Sequence, residues 1–146
     1  MTDLSLRPAT QADSAWIRDL IHRVGINPLD LNWEHFLLAE SPQGIRLGCA
    51  QLKPHGDGSL ELASLAVEEF ARGRGVARAL IESLLAGSPR PLFLMCRPEL
   101  GPLYERFGFR TVGPQEMTPY FRRIRKVTRL LGFLGRFTGP RIMRLD

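Results

Sequence analysis

Ser59–Ala86 reads SLELASLAVEEFARGRGVARALIESLLA. Leu60–Val67 is apolar apart from Glu61 and Ser64 and has the length of a strand buried in a sheet. Glu68 and Glu69 end that run, and Arg72-Gly73-Arg74-Gly75 forms a tight turn. Val76, Leu80, Ile81, Leu84 and Leu85 then recur at helical spacing, with Gly87 placed to stop the helix. The stretch therefore predicts strand, turn and helix in direct succession.

Such a junction is suited to an anion. The first N–H groups of a helix have no intrahelical partner and carry partial positive charge. Gly73 and Gly75 remove side chains that would keep a phosphate from the backbone. Arg72, Arg74 and Arg78 add full charges and several donors each. The bland alternative is an ordinary turn with a solvated basic rim. Two other phosphate loops fit badly. No Lys follows Gly75 as a Walker loop requires, and Arg78 stands where a dinucleotide fingerprint needs its third small residue. The next apolar run, Leu92–Cys96, ends in Arg97 rather than an acid.

Outward from this stretch, the chain reads as a mixed α/β sheet protein. Leu4, Leu6 and Pro8 suggest a first strand, and Thr10 with Asp13 a helix start. Trp16, Ile17, Leu20, Ile21 and Val24 form its apolar stripe, and Gly25 closes it. The residues from His35 to Glu40 and from Ile45 to Lys53 read as strands that complete an antiparallel meander with the Glu61 strand. His55 and Asp57, in the turn before that strand, read as solvated. Leu92–Cys96 makes a parallel partner for it through a right-handed crossover. Pro98–Phe107 reads as a short helix ended by Gly108, and Phe109–Val112 as a strand. Thr118 caps a basic amphipathic helix over about 118–137, with Leu134 on its apolar side and Gly135 loosening its end. Arg141–Leu145 alternates as a last strand.

At 146 residues the chain is sized for one domain, residues 1–146, with a single core. No apolar run approaches a membrane span. The start, MTDLSLRPATQ, lacks the features of a signal peptide, so a cytoplasmic location is expected. Cys49 and Cys96 read as small core residues, and the three histidines make no ligand spacing, so no metal is expected. The net charge of +5 is concentrated after Pro114, where Arg122, Arg123, Arg125, Lys126, Arg129, Arg136, Arg141 and Arg144 face only Glu116 and Asp146.

Two motifs in order carry a family resemblance. Arg72, Gly75 and Ala77 fill the Gln/Arg-x-x-Gly-x-Gly/Ala signature, between a strand ending Leu65-Ala66-Val67 and a long helix. Leu103-Tyr104-Glu105-Arg106-Phe107-Gly108-Phe109 is similar to the downstream Leu-Tyr-x-x-x-Gly-Phe segment. Together they resemble the GNAT superfamily of acetyl-CoA-dependent N-acetyltransferases, over roughly Leu4 to Val112. The resemblance implies a mostly antiparallel sheet whose one parallel pair splays to admit the pantetheine arm along Leu65, Ala66 and Val67. It implies diphosphate contacts from Arg72, Gly73, Arg74, Gly75, Val76, Ala77 and Arg78. An oxyanion donor is expected from the backbone around Leu65–Val67. Tyr104 becomes the candidate general acid, with a core tyrosine as the alternative. Glu61 is the candidate general base, with a solvent-facing strand glutamate as the alternative. Ile26–Trp33 would wall the acceptor entrance. Arg97 departs from the family, which often has Asn seven residues before the Tyr.

The function implied is acetyl transfer from acetyl-CoA to a primary amine of a small molecule or peptide, by direct attack in a ternary complex. A basic segment beside the acceptor would disfavour polyamines and aminoglycosides and favour an acceptor with an acidic group. Two alternatives stay open: a non-catalytic acyl-CoA sensor, and a binding module that uses the basic helix on an anionic partner. No nucleic-acid motif accompanies that helix. A homodimer is left open.

Overall fold

The computed structural model describes residues 3–133 and 139–146, Phe133 by its backbone alone. Leu134, Gly135 and Arg136, which the helical reading includes, lie outside the described residues. Two compact units divide the chain: residues up to 53 with 62–88, and residues 54–61 with 89 onward.

The first unit holds β1 (Ser5–Pro8), α1 (Ser14–Val24), β2 (Phe36–Glu40), β3 (Arg46–Pro54, to Lys53), β4 (Leu60–Val67, from Leu62) and α2 (Val76–Gly87). β1 pairs antiparallel with β2, and β2 with β3. Successive strand residues point to opposite faces, and apolar residues at both phases make two cores. Phe36, Leu38, Cys49 and Ala66 pack with Ile17, Leu20 and Ile21 of α1. Ala39, Leu47 and Ala50 pack with Val76 and Leu80 of α2. Gly48, between these layers, lets the backbones close up. A Cβ built there would meet the Ala66 carbonyl oxygen at 2.9 Å and a Val76 methyl at 3.0 Å.

The predicted helix start is found in modified form. Thr10 N–H donates to the Asp13 carboxylate at 2.7 Å, but Gln11–Asp13 is a 3-10 turn that precedes α1. Asp13 is 1% exposed and also takes hydrogen bonds from Arg7 and Arg46, which hold its carboxyl well below the usual carboxylate range. In β4, Ser64 sits at φ 57, a left-handed conformation that breaks strict alternation. Ala66 thereby joins the α1 core while Leu65 and Val67 pack in the α2 core.

The second unit holds the hairpin turn, β5 (Leu92–Cys96), α3 (Gly101–Glu105), β6 (Arg110–Thr111), α4 (Pro119–Phe133) and β7 (Arg141–Leu145). β7 pairs antiparallel with β5 and with β6. Glu61, at the start of β4, pairs with Phe93 in the one parallel ladder. The full strand order is β1-β2-β3-β4-β5-β7-β6, mostly antiparallel with one parallel pair. Phe93, Val112, Met117, Phe121 and Ile142 form the local core, the rings of Phe93 and Phe121 stacked at 4.8 Å.

Three details differ from the sequence reading. The helix over Pro98–Phe107 divides into a 3-10 turn, Pro98–Leu100, and α3. The strand expected over Phe109–Val112 shrinks to Arg110–Thr111, on the sheet edge. The start of α4 is capped from a distance, because the Asp57 carboxylate accepts the Tyr120 N–H at 2.9 Å.

Candidate functional site

The junction between β4 and α2 lies in the first unit. Gly73 and Gly75 have φ of 77° and 80°, values that disfavour any side chain. A Cβ at either would meet nothing within 4 Å, so the space above the turn is open. Gly75 is the N-cap of α2 and supplies no side chain to cap it. The leading N–H groups of α2, on Val76, Ala77 and Arg78, therefore need an outside acceptor. Arg72 and Arg74 are exposed beside them. Arg78 is exposed as well, but its Nε donates to Glu82 at 2.6 Å, one helical turn on.

Behind β4, Gln51 Nε2 donates to Ser64 Oγ at 2.8 Å and to the Asp30 carbonyl at 3.2 Å. The buried Lys53 ammonium donates to the Leu29 carbonyl at 3.2 Å. These bonds strap the loop of residues 28–33 to β3. The loop and two residues of α1, Arg18 and His22, line a cleft of about 770 Å³. Of the expected acceptor wall, residues 28–33 line this cleft and Ile26 and Asn27 do not. Gln51 and Lys53 were not foreseen, because their partners are loop carbonyls that no residue type reveals.

Glu61 and Tyr104 lie in the second unit. Glu61 is not a solvent-facing strand residue; it is 4% exposed, and its carboxylate lies 2.7 Å from His55 Nε2. His55 in turn stacks on Tyr120 with ring centroids 3.6 Å apart. The reading of His55 as solvated is corrected, while Asp57 is exposed as read. His55 has its side chain buried, and Asp57 takes hydrogen bonds from Ser59 and from the start of α4. The hairpin register held the missed signal. His55 pairs with Ser59 across the turn, which puts Glu61 two residues further on the same face.

Tyr104 is buried on α3, edge-on to Phe109 at 6.2 Å. Burial pushes its phenol up to about 12. Among the described residues its hydroxyl makes no hydrogen bond. Arg97 is exposed where β5 passes into the Pro98–Leu100 turn. Cys49 and Cys96 are buried and free, and burial raises both thiols. Among the described residues no three His, Cys, Asp or Glu side chains gather as metal ligands.

The fold agrees with comparison to known proteins. The model of the acetyltransferase (GNAT) domain matches residues 32–111, more than half of the chain, and the chain belongs to that family. Its fold is similar to that of part of N-acetylglutamate synthase from Neisseria gonorrhoeae complexed with coenzyme A and N-acetyl-glutamate, at a TM-score of 0.76 and 21% identity. That match covers 99% of this chain but only 35% of the synthase. Rv2747 from Mycobacterium tuberculosis, in complex with CoA and NLQ, matches at a TM-score of 0.74 and 20% identity, over 97% of this chain and 98% of that one. Escherichia coli ElaA matches at 0.66 and 16%, over the full length of both. No curated protein matches by sequence.

Proposed function

We propose that the protein transfers the acetyl group of acetyl-CoA to a primary amine by direct attack in a ternary complex. The observation that carries this reading is the Gly73–Gly75 turn, with its open space and unpartnered helix N–H groups beside two exposed arginines. The coenzyme's diphosphate would take those N–H groups, with Arg72 and Arg74 neutralising its charge. Its pantetheine arm would run along the Leu65–Val67 backbone, and a backbone N–H there would hold the oxyanion. The amine nitrogen attacks the thioester carbonyl carbon, and the C–S bond then breaks. Glu61 takes the proton that the amine sheds. Tyr104 donates to the departing sulfur.

The cleft beside Arg18 and His22 is offered as the acceptor site. The site fits an amine that also carries a carboxylate: Arg18 on its lining fits the carboxylate, and Asp30 on the same lining fits the amine. The gonococcal synthase, a fold relative, is a structure complexed with N-acetyl-glutamate, an acceptor product of that kind.

Thermal denaturation with and without acetyl-CoA tests the cofactor, since roughly 100-fold excess over Kd stabilises a fold by about 3 kcal/mol. Gly75→Val should abolish that shift. Thiol release across an amine panel tests the chemistry, with acidic amino acids expected to exceed polyamines. Stabilisation without thiol release from any amine would favour a sensor, and no stabilisation at all would remove coenzyme binding.

A further inference from the structure

We propose that α4 seats the protein on the surface of an anionic lipid bilayer. The helix, PYFRRIRKVTRLLGF, holds Arg122, Arg123, Arg125, Lys126 and Arg129 and no carboxylate. The chain has 20 Lys and Arg against 15 Asp and Glu. Five of those cations are in α4, so fifteen cations are left to match fifteen carboxylates, and the whole net charge of +5 resides on this one element. Among the described residues none of the five forms an ion pair, although Arg110, Arg141 and Arg144 of the same unit all do.

The helix has a defined inner side. Phe121 is fully buried, and Ile124, Thr128 and Leu131 are partly covered. Leu130 lies nine residues from Phe121, half a turn round the axis at 100° per residue. It is 62% exposed, in the middle of the outer face, and Val127 beside it is 50% exposed. Arg123 and Lys126 flank them, with Arg122 and Arg129 toward one edge.

Apolar side chains set among unpaired cations separate the classes of partner. A nucleic-acid backbone would reward the cations and leave Leu130 and Val127 wet. At an anionic bilayer both sets gain. Leu130 and Val127 enter the headgroup boundary, while the long Arg and Lys stems reach back to lipid phosphates. This surface does not depend on the acetyl-transfer reading.

Flotation of the full chain with vesicles of phosphatidylcholine, alone or with about 30 mol% phosphatidylserine, tests it. Binding should require the anionic lipid and weaken as salt rises. The double variant Arg123→Glu, Lys126→Glu should bind at least about tenfold more weakly. Leu130→Asp should also lose roughly tenfold, because it removes the buried apolar anchor. Both changes are on exposed positions, and far-ultraviolet dichroism checks the fold. Should Leu130→Asp misfold, Val127→Ser reports the same apolar term with a smaller loss. The proposal is overturned by absence of binding to the anionic vesicles at low salt, or by equal binding to neutral ones. It is also overturned if Leu130→Asp binds like the parent while the charge variant does not. Tighter binding to duplex DNA or to polyglutamate than to the vesicles would assign the surface to that partner instead.

Discussion

Tyr104 shows how burial sets a role. An ordinary tyrosine ionises near 10 and a thiol near 8.5, whereas burial lifts Tyr104 to about 12. The phenol therefore keeps its proton throughout the working range. It is held in the protonated form that the proposed donation to a departing sulfur requires. Tyr104→Phe should lower kcat by about 10²–10⁴-fold with little change in KM. An unchanged kcat takes Tyr104 out of the reaction. At His55 a different substitution is informative. His55→Phe keeps a ring over Tyr120 but leaves the buried Glu61 carboxylate without its 2.7 Å partner. A loss of about 1–3 kcal/mol is expected in urea denaturation. Tyr104 and the Arg72–Arg78 turn were legible because each is carried by a local motif. The burial of Glu61 was not, because its partner reaches it across a hairpin.

Among the elements, the start of the α1 region was readable, since the Thr10–Asp13 spacing carries its capping chemistry within four residues, but the 3-10 turn it caps before α1 was not. The cap of α4 was not readable, because Asp57 stands 63 residues from Tyr120 in sequence. The left-handed Ser64 in β4 also escaped, as serine is not a residue that announces that conformation. Asp13→Asn should cost about 2–3 kcal/mol, since it removes a buried charge from two arginines that water only partly reaches. The pH dependence has a definite sign. The folded carboxyl of Asp13 ionises below its unfolded value of about 4, so its contribution is present above that pH and lost as pH falls through the folded value. Chemical denaturation of the variant between pH 5 and pH 2, taken as about those limits, should show a shallower acid loss than the parent.

For the molecule as a whole, the antiparallel meander and the parallel β4–β5 pair were legible from pattern, whereas the place of β7 between β5 and β6 and the two-faced core were not. Alternating apolar residues at both phases demand helices on both faces, and α1 and α2 supply them. Pattern also left out the polar pairing of the folded loops: Arg7, with Arg46, lowers the Asp13 carboxyl, and Ser59, with the Tyr120 N–H, lowers that of Asp57. On the alkaline side the sign reverses. Cys49 and Tyr104 are both raised to about 12 by burial. The unfolded chain then releases those protons first, and stability falls as pH rises above about 9. Denaturation midpoints across pH should trace a plateau bounded by these two limbs. Tyr104→Phe should soften the alkaline limb and leave the acid one in place.

Gly48 has a consequence that reaches the coenzyme. One methyl at that position must displace either the Ala66 carbonyl or the first residue of α2, and the proposed diphosphate grip depends on both. Gly48→Ala should cost about 1–3 kcal/mol by overpacking. Its larger effect should be on acetyl-CoA affinity measured by calorimetry. A bare hydrogen at position 48 thus sets how near the coenzyme-facing helix can come to the sheet that carries it.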